Sequence, residues 1–283
     1  MELTLLGTGT PQPSPQRAGP SNLLRIGGES VLVDTGTGCV RRMVEIGQDT
    51  AELDYIFLTH MHSDHTIDLA HVLLTGWIRY RKRPFTVVGP ARTRDFVDRL
   101  VHAFEEDIRI RRLHDRVGED VMNVRVIEVD HGDHVEGNGW RATALEVEHG
   151  YVKPALGFVF EDDNSKLVIS GDTAVSDAIV EAASTSDMLL HELMYTQPHR
   201  GGPAPDGRDY HDVDRENLTE FARRIANSHT CPHGLADVAA RSLVPHVVAT
   251  HMGDVDEPWS REVISANYDR TLIFGEDLMK FTV

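Results

Sequence analysis

Four times along this chain a strand-like run ends on a side chain that binds metal. Tyr55-Ile56-Phe57-Leu58 empties into Thr59-His60-Met61-His62-Ser63-Asp64-His65; the run from Ala142 to Glu148 ends at His149, that from Lys166 to Gly171 at Asp172, and that from Val247 to Thr250 at His251. Groups at strand ends can meet only if the strands finish on one edge of a shared sheet or sandwich. A solitary histidine after a strand says little. Four such ends, with three imidazoles and a carboxylate inside residues 60–65, call for a β-rich fold whose strand ends converge.

The rest of the chain fits that demand. Residues 2–6, 22–26 and 30–34 read as strands, with Gly27-Gly28 as a hairpin turn. Further strands are expected at 55–59, 85–88, 123–129, 140–148, 156–160, 166–170, 244–249, 271–274 and 279–282. Helical spacing predicts helices near 39–47, 66–80, 92–104, 214–226, 233–241 and 259–267. Hairpins mean antiparallel pairing, and interspersed helices mean layers outside the sheets. The fold class is therefore α+β: two mixed β-sheets packed as a sandwich and flanked by helices, forming one domain over residues 1–283. The segment 196–212, rich in proline and glycine, reads as a rim or lid loop. Trp77 and its leucines make helix 66–80 either an interface or a helix buried on its own sheet.

Bulk composition excludes several classes. No run approaches the ~20 apolar residues of a membrane span. The opening Met1-Glu2-Leu3-Thr4-Leu5 lacks the pattern of a signal peptide, and Cys39 and Cys231 do not suggest a disulfide framework, so a cytoplasmic location is expected. A net charge of -17 discourages a nucleic-acid partner without excluding one. The basic run Arg79-Tyr80-Arg81-Lys82-Arg83 is either an anion site or a solvated helix end.

Imidazoles and carboxylates without thiolate suit zinc above all, with manganese and iron as alternatives. Two divalent metal ions about 3.5–4 Å apart need a bridging carboxylate, and Asp172 is the expected bridge. His60, His62 and His149 would complete one site, and Asp64, His65 and His251 the other. A water or hydroxide between the metals would be the nucleophile, with Asp64 also orienting it. Asp34 would fix an imidazole from behind. His131 and His134 are read as a solvated turn, and His71 and His102 as ordinary helix-surface residues. Gly7-Thr8-Gly9-Thr10 lacks the Gly-Lys ending of a nucleotide-binding loop.

The set His60-x-His62-x-Asp64-His65, His149, Asp172 and His251 resembles the metallo-beta-lactamase superfamily of dinuclear hydrolases. Leu5-Leu6-Gly7-Thr8-Gly9-Thr10-Pro11 and Val33-Asp34-Thr35-Gly36 resemble its ribonuclease Z branch, which includes related phosphodiesterases and arylsulfatases. The resemblance spans nearly the whole chain and implies a four-layer αββα sandwich with the metals at one edge. It also implies that His229, in Asn227-Ser228-His229-Thr230, assists cleavage at the leaving group, and that Glu192, in His191-Glu192, holds His229 in register. Homodimers are common in the branch, so one is expected here.

Members of the branch that process tRNA carry a long arm between the third ligand histidine and the bridging aspartate. Here His149 and Asp172 stand 23 positions apart, and one hairpin consumes the interval. The expectation is a metal-dependent hydrolase of a small-molecule ester, phosphodiesters first. A ribonuclease Z-type tRNA 3′-end endonuclease, an arylsulfatase, lactonase or carboxylic-ester hydrolase, and a non-catalytic metal-binding scaffold are the alternatives.

Overall fold

The computed structural model describes residues 1–115, 122–194, 227–253 and 255–283. The expected helix at 214–226 and the expected rim loop at 196–212 lie outside the described residues.

The first sheet runs β14-β1-β2-β3-β4-β5-β6. Its strands are β1 (Glu2–Gly7), β2 (Ser21–Ile26), β3 (Glu29–Val33), β4 (Tyr55–Phe57), β5 (Thr86–Gly89), β6 (Arg125–Glu128) and β14 (Lys280–Thr282). The second runs β13-β12-β11-β10-β9-β8-β7. It contains β7 (His134–Glu136), β8 (Trp140–Glu146), β9 (Leu156–Asp162), β10 (Lys166–Ile169), β11 (Met188–Glu192), β12 (His246–Thr250) and β13 (Thr271–Phe274). Each sheet is half antiparallel and half parallel: β14 to β3 and β7 to β10 pair antiparallel, whereas β3 to β6 and β10 to β13 pair parallel. The parallel halves need crossovers, and most of the described helices lie in those connections.

Alternation along the strands builds three apolar layers. Leu3, Leu5, Val31, Val33 and Phe57 face Phe158, Phe160, Leu167, Ile169 and Leu190 between the sheets. Phe57 meets Phe158 edge to face at 5.1 Å, a contact contributing about 1 kcal/mol beyond its buried area. The opposite face of the first sheet, with Leu32 and Ile56, packs on α1 (Cys39–Glu45) and α3 (Leu69–Ile78). The opposite face of the second, with Val168, Leu189 and Val247, packs on α6 (Asp177–Ala183), α7 (Pro232–Ser242) and α8 (Glu257–Ser265). The order of layers is αββα.

Local chemistry explains the turns and helix starts. Gly27 and Gly28 both have positive φ, 58° and 80°, as a two-residue hairpin turn between β2 and β3 requires. Cys231 caps α7 and Pro232 opens it, where a missing N–H costs nothing.

The expected helix 66–80 is two pieces, α2 (Ser63–Thr66) and α3, broken at Ile67-Asp68. The Asp68 carboxylate accepts from the Gly38 N–H at 2.7 Å, while its own N–H donates to the Thr35 carbonyl at 2.9 Å. Those contacts outweigh helix continuity. Leu69, Val72, Leu73 and Trp77 are buried on the chain's own sheet. The helix expected near 92–104 is α4 (Thr93–Ala103), whereas α5 (Glu105–Asp115), which is strongly polar, and the three-residue β7 have no counterpart in the sequence reading. His134 begins β7 rather than lying in the turn.

Candidate metal centre and active site

Every described strand end singled out above reaches the same edge of the sandwich. β4 delivers Thr59 to His62, and α2 turns Asp64 and His65 back toward it. His149 follows β8, Asp172 follows β10, Glu192 ends β11 and His251 follows β12. Ligand atoms of His60, His62, His149 and Asp172 lie within 4.8 Å of one another, as do those of Asp64, His65, Asp172 and His251. Asp172 is common to both sets. Its Oδ2 is 3.3 Å from Nε2 of His65, 3.3 Å from Nε2 of His251 and 3.8 Å from Nε2 of His60. Asp64 Oδ2 stands 3.4 Å from His251 and 3.5 Å from His65. His60, His65, His149, Asp172 and His251 are buried; His62 is exposed and marks the open side.

Three imidazoles are held from behind. Asp34 can only accept, so His65 Nδ1 donates to it at 2.8 Å. The Asp34 carboxylate also accepts from the Thr59 N–H and hydroxyl, at 2.8 and 2.9 Å. With its proton committed there, the Thr59 hydroxyl accepts from His60 Nδ1 at 3.0 Å. The Ser228 carbonyl accepts a hydrogen bond from His149 Nδ1–H at 2.7 Å. In the neutral imidazole each arrangement leaves Nε2 with a free lone pair turned into the site. Sequence reasoning anticipated Asp34 but missed Thr59 and the Ser228 carbonyl. Thr59 immediately precedes the histidine run, the one signal that pointed to it.

The backbone is bent to make this convergence. Asp34 and His251 adopt left-handed conformations, φ 61° and 54°, in which non-glycine residues are uncommon and which cost on the order of 1 kcal/mol each. Gly171, φ 61°, precedes Asp172, and a Cβ there would lie 2.5 Å from the Leu156 carbonyl. Gly36 is equally constrained: a Cβ would meet Gly19, Pro20 and the Asp64 carbonyl within 2.6 Å, directly beneath the histidine loop.

The residues fit metal. Nε2 of His60 and of His65 are buried with no hydrogen-bond partner, although a buried polar atom ordinarily has one. Burial and the neighbouring His65 hold His60 well below the usual imidazole range, and burial brings His149 down to about 4, so both are neutral donors at pH 7. Against burial, Asp172 and Asp34 push His65 well up. The carboxylates thus favour positive charge at the spot where the two donor sets meet. The donor chemistry, imidazole and carboxylate, suits zinc, manganese or iron.

Beside the two sets stands a second pair. Both Glu192 oxygens lie against His229 Nδ1, at 2.9 and 3.0 Å, and Glu192 also accepts from the Thr173 N–H at 2.6 Å. The His229 ring is 4.7 Å from that of His149 and stacks on that of His251 at 5.8 Å. Burial opposes its charge, yet Glu192 and Asp172 push His229 up to about 9. Burial also raises Glu192, against the pull of His229.

Other candidates lie elsewhere. His131 Nδ1 accepts from the Glu146 N–H in an exposed turn. His102 pairs with Glu105, and His71 is exposed on α3. His199 and His211 fall outside the described residues. The basic run is occupied internally: Arg79 pairs with Asp49, Arg83 with Asp54, and buried Arg81 donates to the carbonyls of Ala51, Leu53, Arg83 and Pro84. Among the described residues no helix is long and apolar enough to cross a membrane.

The family model described as anti-Pycsar protein Apyc1 matches residues 1–201. A ribonuclease Z of Mycobacterium bovis (strain BCG / Pasteur 1173P2) is 30% identical over 290 residues, covering 100% of this chain and 98% of that one. Among solved structures, the metallo-beta-lactamase fold protein YhfI from Bacillus subtilis aligns with a TM-score of 0.73 at 14% identity, covering 99% of this chain and 98% of that one. The short form of human tRNase Z aligns at 0.69 and 23%, covering 100% and 99%. The αββα order, the shared edge and the full-length match agree. The chain belongs to the family described as anti-Pycsar protein Apyc1 and, more broadly, to the ribonuclease Z-like branch of the metallo-beta-lactamase superfamily, and is a metal-dependent hydrolase of ester bonds.

Proposed function

We propose that the chain hydrolyses phosphodiesters at a dinuclear centre. His60, His62, His149 and Asp172 would hold one divalent cation, and Asp64, His65 and His251 would share Asp172 to hold the other, zinc being the metal expected. The observation that carries the reading is the Glu192–His229 pair. A buried imidazole anchored by a carboxylate beside the donor sets has the geometry of a positioned proton donor.

Bound divalent cations supply a water of lowered pKa and neutralise charge on phosphoryl oxygens. The chain's own groups do the rest. Asp64, facing His65 and His251, accepts a hydrogen bond from the attacking water and aims it at phosphorus. Glu192 holds the Nδ1 proton of His229, which turns Nε2 toward the substrate. From Nε2 the imidazolium donates its proton to the departing oxygen. Burial of the carboxylates and imidazoles strengthens each of these interactions.

The substrate in this reading is a diester of modest size. Between His149 and Asp172 the chain makes only the β9–β10 hairpin, and a net charge of -17 repels polyanions at long range. A second reading, cleavage of tRNA at its 3′ end, is favoured by a different observation: the relative named ribonuclease Z aligns across the full length of this chain. Metal-loaded protein assayed on bis-p-nitrophenyl phosphate and on precursor tRNA separates the two. Faster cleavage of precursor tRNA at a defined position would overturn the modest-size reading; turnover of arylsulfate, lactone or carboxylic ester alone would overturn both. A His62→Ala protein is the control against a non-catalytic scaffold. The reading includes a homodimer, for which Ile67, Leu74 and Ile78 offer apolar surface along α2 and α3, and a cytoplasmic location, with Cys39 and Cys231 unjoined. Sedimentation tests the first and cell fractionation the second.

A further inference from the structure

Two residues past His149 the chain exposes an aromatic ring almost completely. Tyr151 is 94 % exposed, the most open large apolar side chain described. Lys153, two positions further, is also exposed, while Val152 between them turns inward. The segment is firmly seated. His149 and Val152 form a β-bridge, closed by the Val152 N–H donating to the His149 carbonyl at 3.0 Å. Gly150, φ 57°, lies so close to Ser228 that a Cβ would stand 2.4 Å from its hydroxyl. Tyr151 therefore projects from a fixed backbone. Two residues of extended chain span at most ~7 Å, which keeps Tyr151 beside His149.

The neighbouring rings place this segment at the mouth of the site. His149 touches His62, the exposed member of the cluster, at 5.0 Å between centroids, and His229 at 4.7 Å. His149, which opens the turn carrying Tyr151, thus lies against both His62 and His229. An aromatic face offers stacking to any planar ring, and an ammonium on a flexible stem offers charge to an anion without demanding one geometry.

We infer that Tyr151 and Lys153 are specificity-determining residues: Tyr151 stacks on a planar ring, such as a nucleobase, carried by the non-leaving side of the diester, and Lys153 pairs with the substrate's negative charge. The inference rests on the phosphodiesterase reading. It commits that reading to diesters bearing a planar ring on the retained group.

The test compares two diesters with the same leaving group, thymidine 5′-p-nitrophenyl phosphate and methyl p-nitrophenyl phosphate, on metal-loaded protein. Tyr151→Ala raises KM for the thymidine ester about tenfold and leaves kcat, and both constants for the methyl ester, unchanged. Tyr151→Phe restores the wild-type KM. Lys153→Gln raises KM for both esters and weakens the salt dependence of kcat/KM. Equal effects of Tyr151→Ala on the two esters, or a fall in kcat rather than a rise in KM, overturn the inference. Turnover of neither diester by the wild type brings down the phosphodiesterase reading, and this inference with it.

Discussion

Glu192 and His229 form an ion pair with only 1 % and 10 % of their side chains exposed, the Glu192 carboxylate bracketing one ring nitrogen with both oxygens. Removing the charge but not the shape isolates its role. Glu192→Gln is expected to lower kcat about 100-fold, the usual scale for losing a positioned proton donor. His229→Ala is expected to lower it at least as far. Glu192 and His229 lie outside the two sets proposed to hold metal, although with Asp172 and His251 they form a third group of donor atoms within 4.8 Å of one another. Metal content by elemental analysis should therefore match wild type in both variants; loss of metal would place the pair among the ligands.

Asp34 acts from behind the site. It accepts from His65 and twice from Thr59, and through Thr59 it also sets His60. Asp34→Asn tolerates the left-handed backbone but offers an amide where the carboxylate received three donors. Metal affinity should fall 10- to 100-fold, on the order seen when such a supporting contact is lost. A chelator competition titration reads this directly. An unchanged affinity would reduce Asp34 to a structural loop residue.

Metal removal should cost stability as well as activity. A ligand at about 1,000 times its dissociation constant stabilises the folded state by about 4 kcal/mol. For a chain of this length that moves Tm by on the order of 10 °C. Differential scanning calorimetry before and after chelation, and again after metal is restored, should show a reversible shift of that size.

Arg81 gives the opposite contrast, stability without function. Its guanidinium donates to four backbone carbonyls and lies 3.9 Å from the Phe85 ring centre; burial and neighbouring Arg83 lower its pKa to about 10. Arg81→Met strands those carbonyls and should destabilise by about 3 kcal/mol in chemical denaturation. At temperatures where the variant is folded, KM should not move. A raised KM would return the basic run to the list of substrate contacts.

Asp277 closes a longer loop of chain. Its oxygens accept from the Thr8 N–H and hydroxyl, the Ala18 N–H and two nitrogens of Arg42. The Thr8 carbonyl in turn accepts from Met252, next to His251, at 2.7 Å. Asp277→Ala should destabilise by about 3 kcal/mol, the cost of stripping one partner from a nearly buried ion pair. Equilibrium unfolding at constant metal measures it.

How far the sequence disclosed this molecule depended on the range of the forces involved. The strand ends at His60, His149, Asp172 and His251 were legible because residue type and strand pattern coincide there. The turn at Gly27-Gly28 and the start at Cys231-Pro232 were legible because backbone sterics act locally. The break at Ile67-Asp68 was not, since it is decided by a carboxylate reaching back to Gly38. The anchoring by Asp277 joins residues 235 to 269 positions apart, and nothing near Asp277 advertises it. The basic run stayed open between an anion site and a helix end for the same reason: its partners Asp49 and Asp54 lie about thirty residues upstream and become neighbours only on folding.

Each of the two donor sets proposed to hold metal draws on both halves of the sandwich. His60 and His62 come from the first sheet and His149 from the second; Asp64 and His65 come from the first and His251 from the second. Neither half of the chain owns a complete centre. A protein divided in the exposed turn at 131–132, between β6 and β7, would yield two fragments each lacking half of both sets. Reassembly of such fragments would be registered by metal capture itself. In the proposed reading the centre would report whether the two halves have met, and the chain would not become reactive before they had.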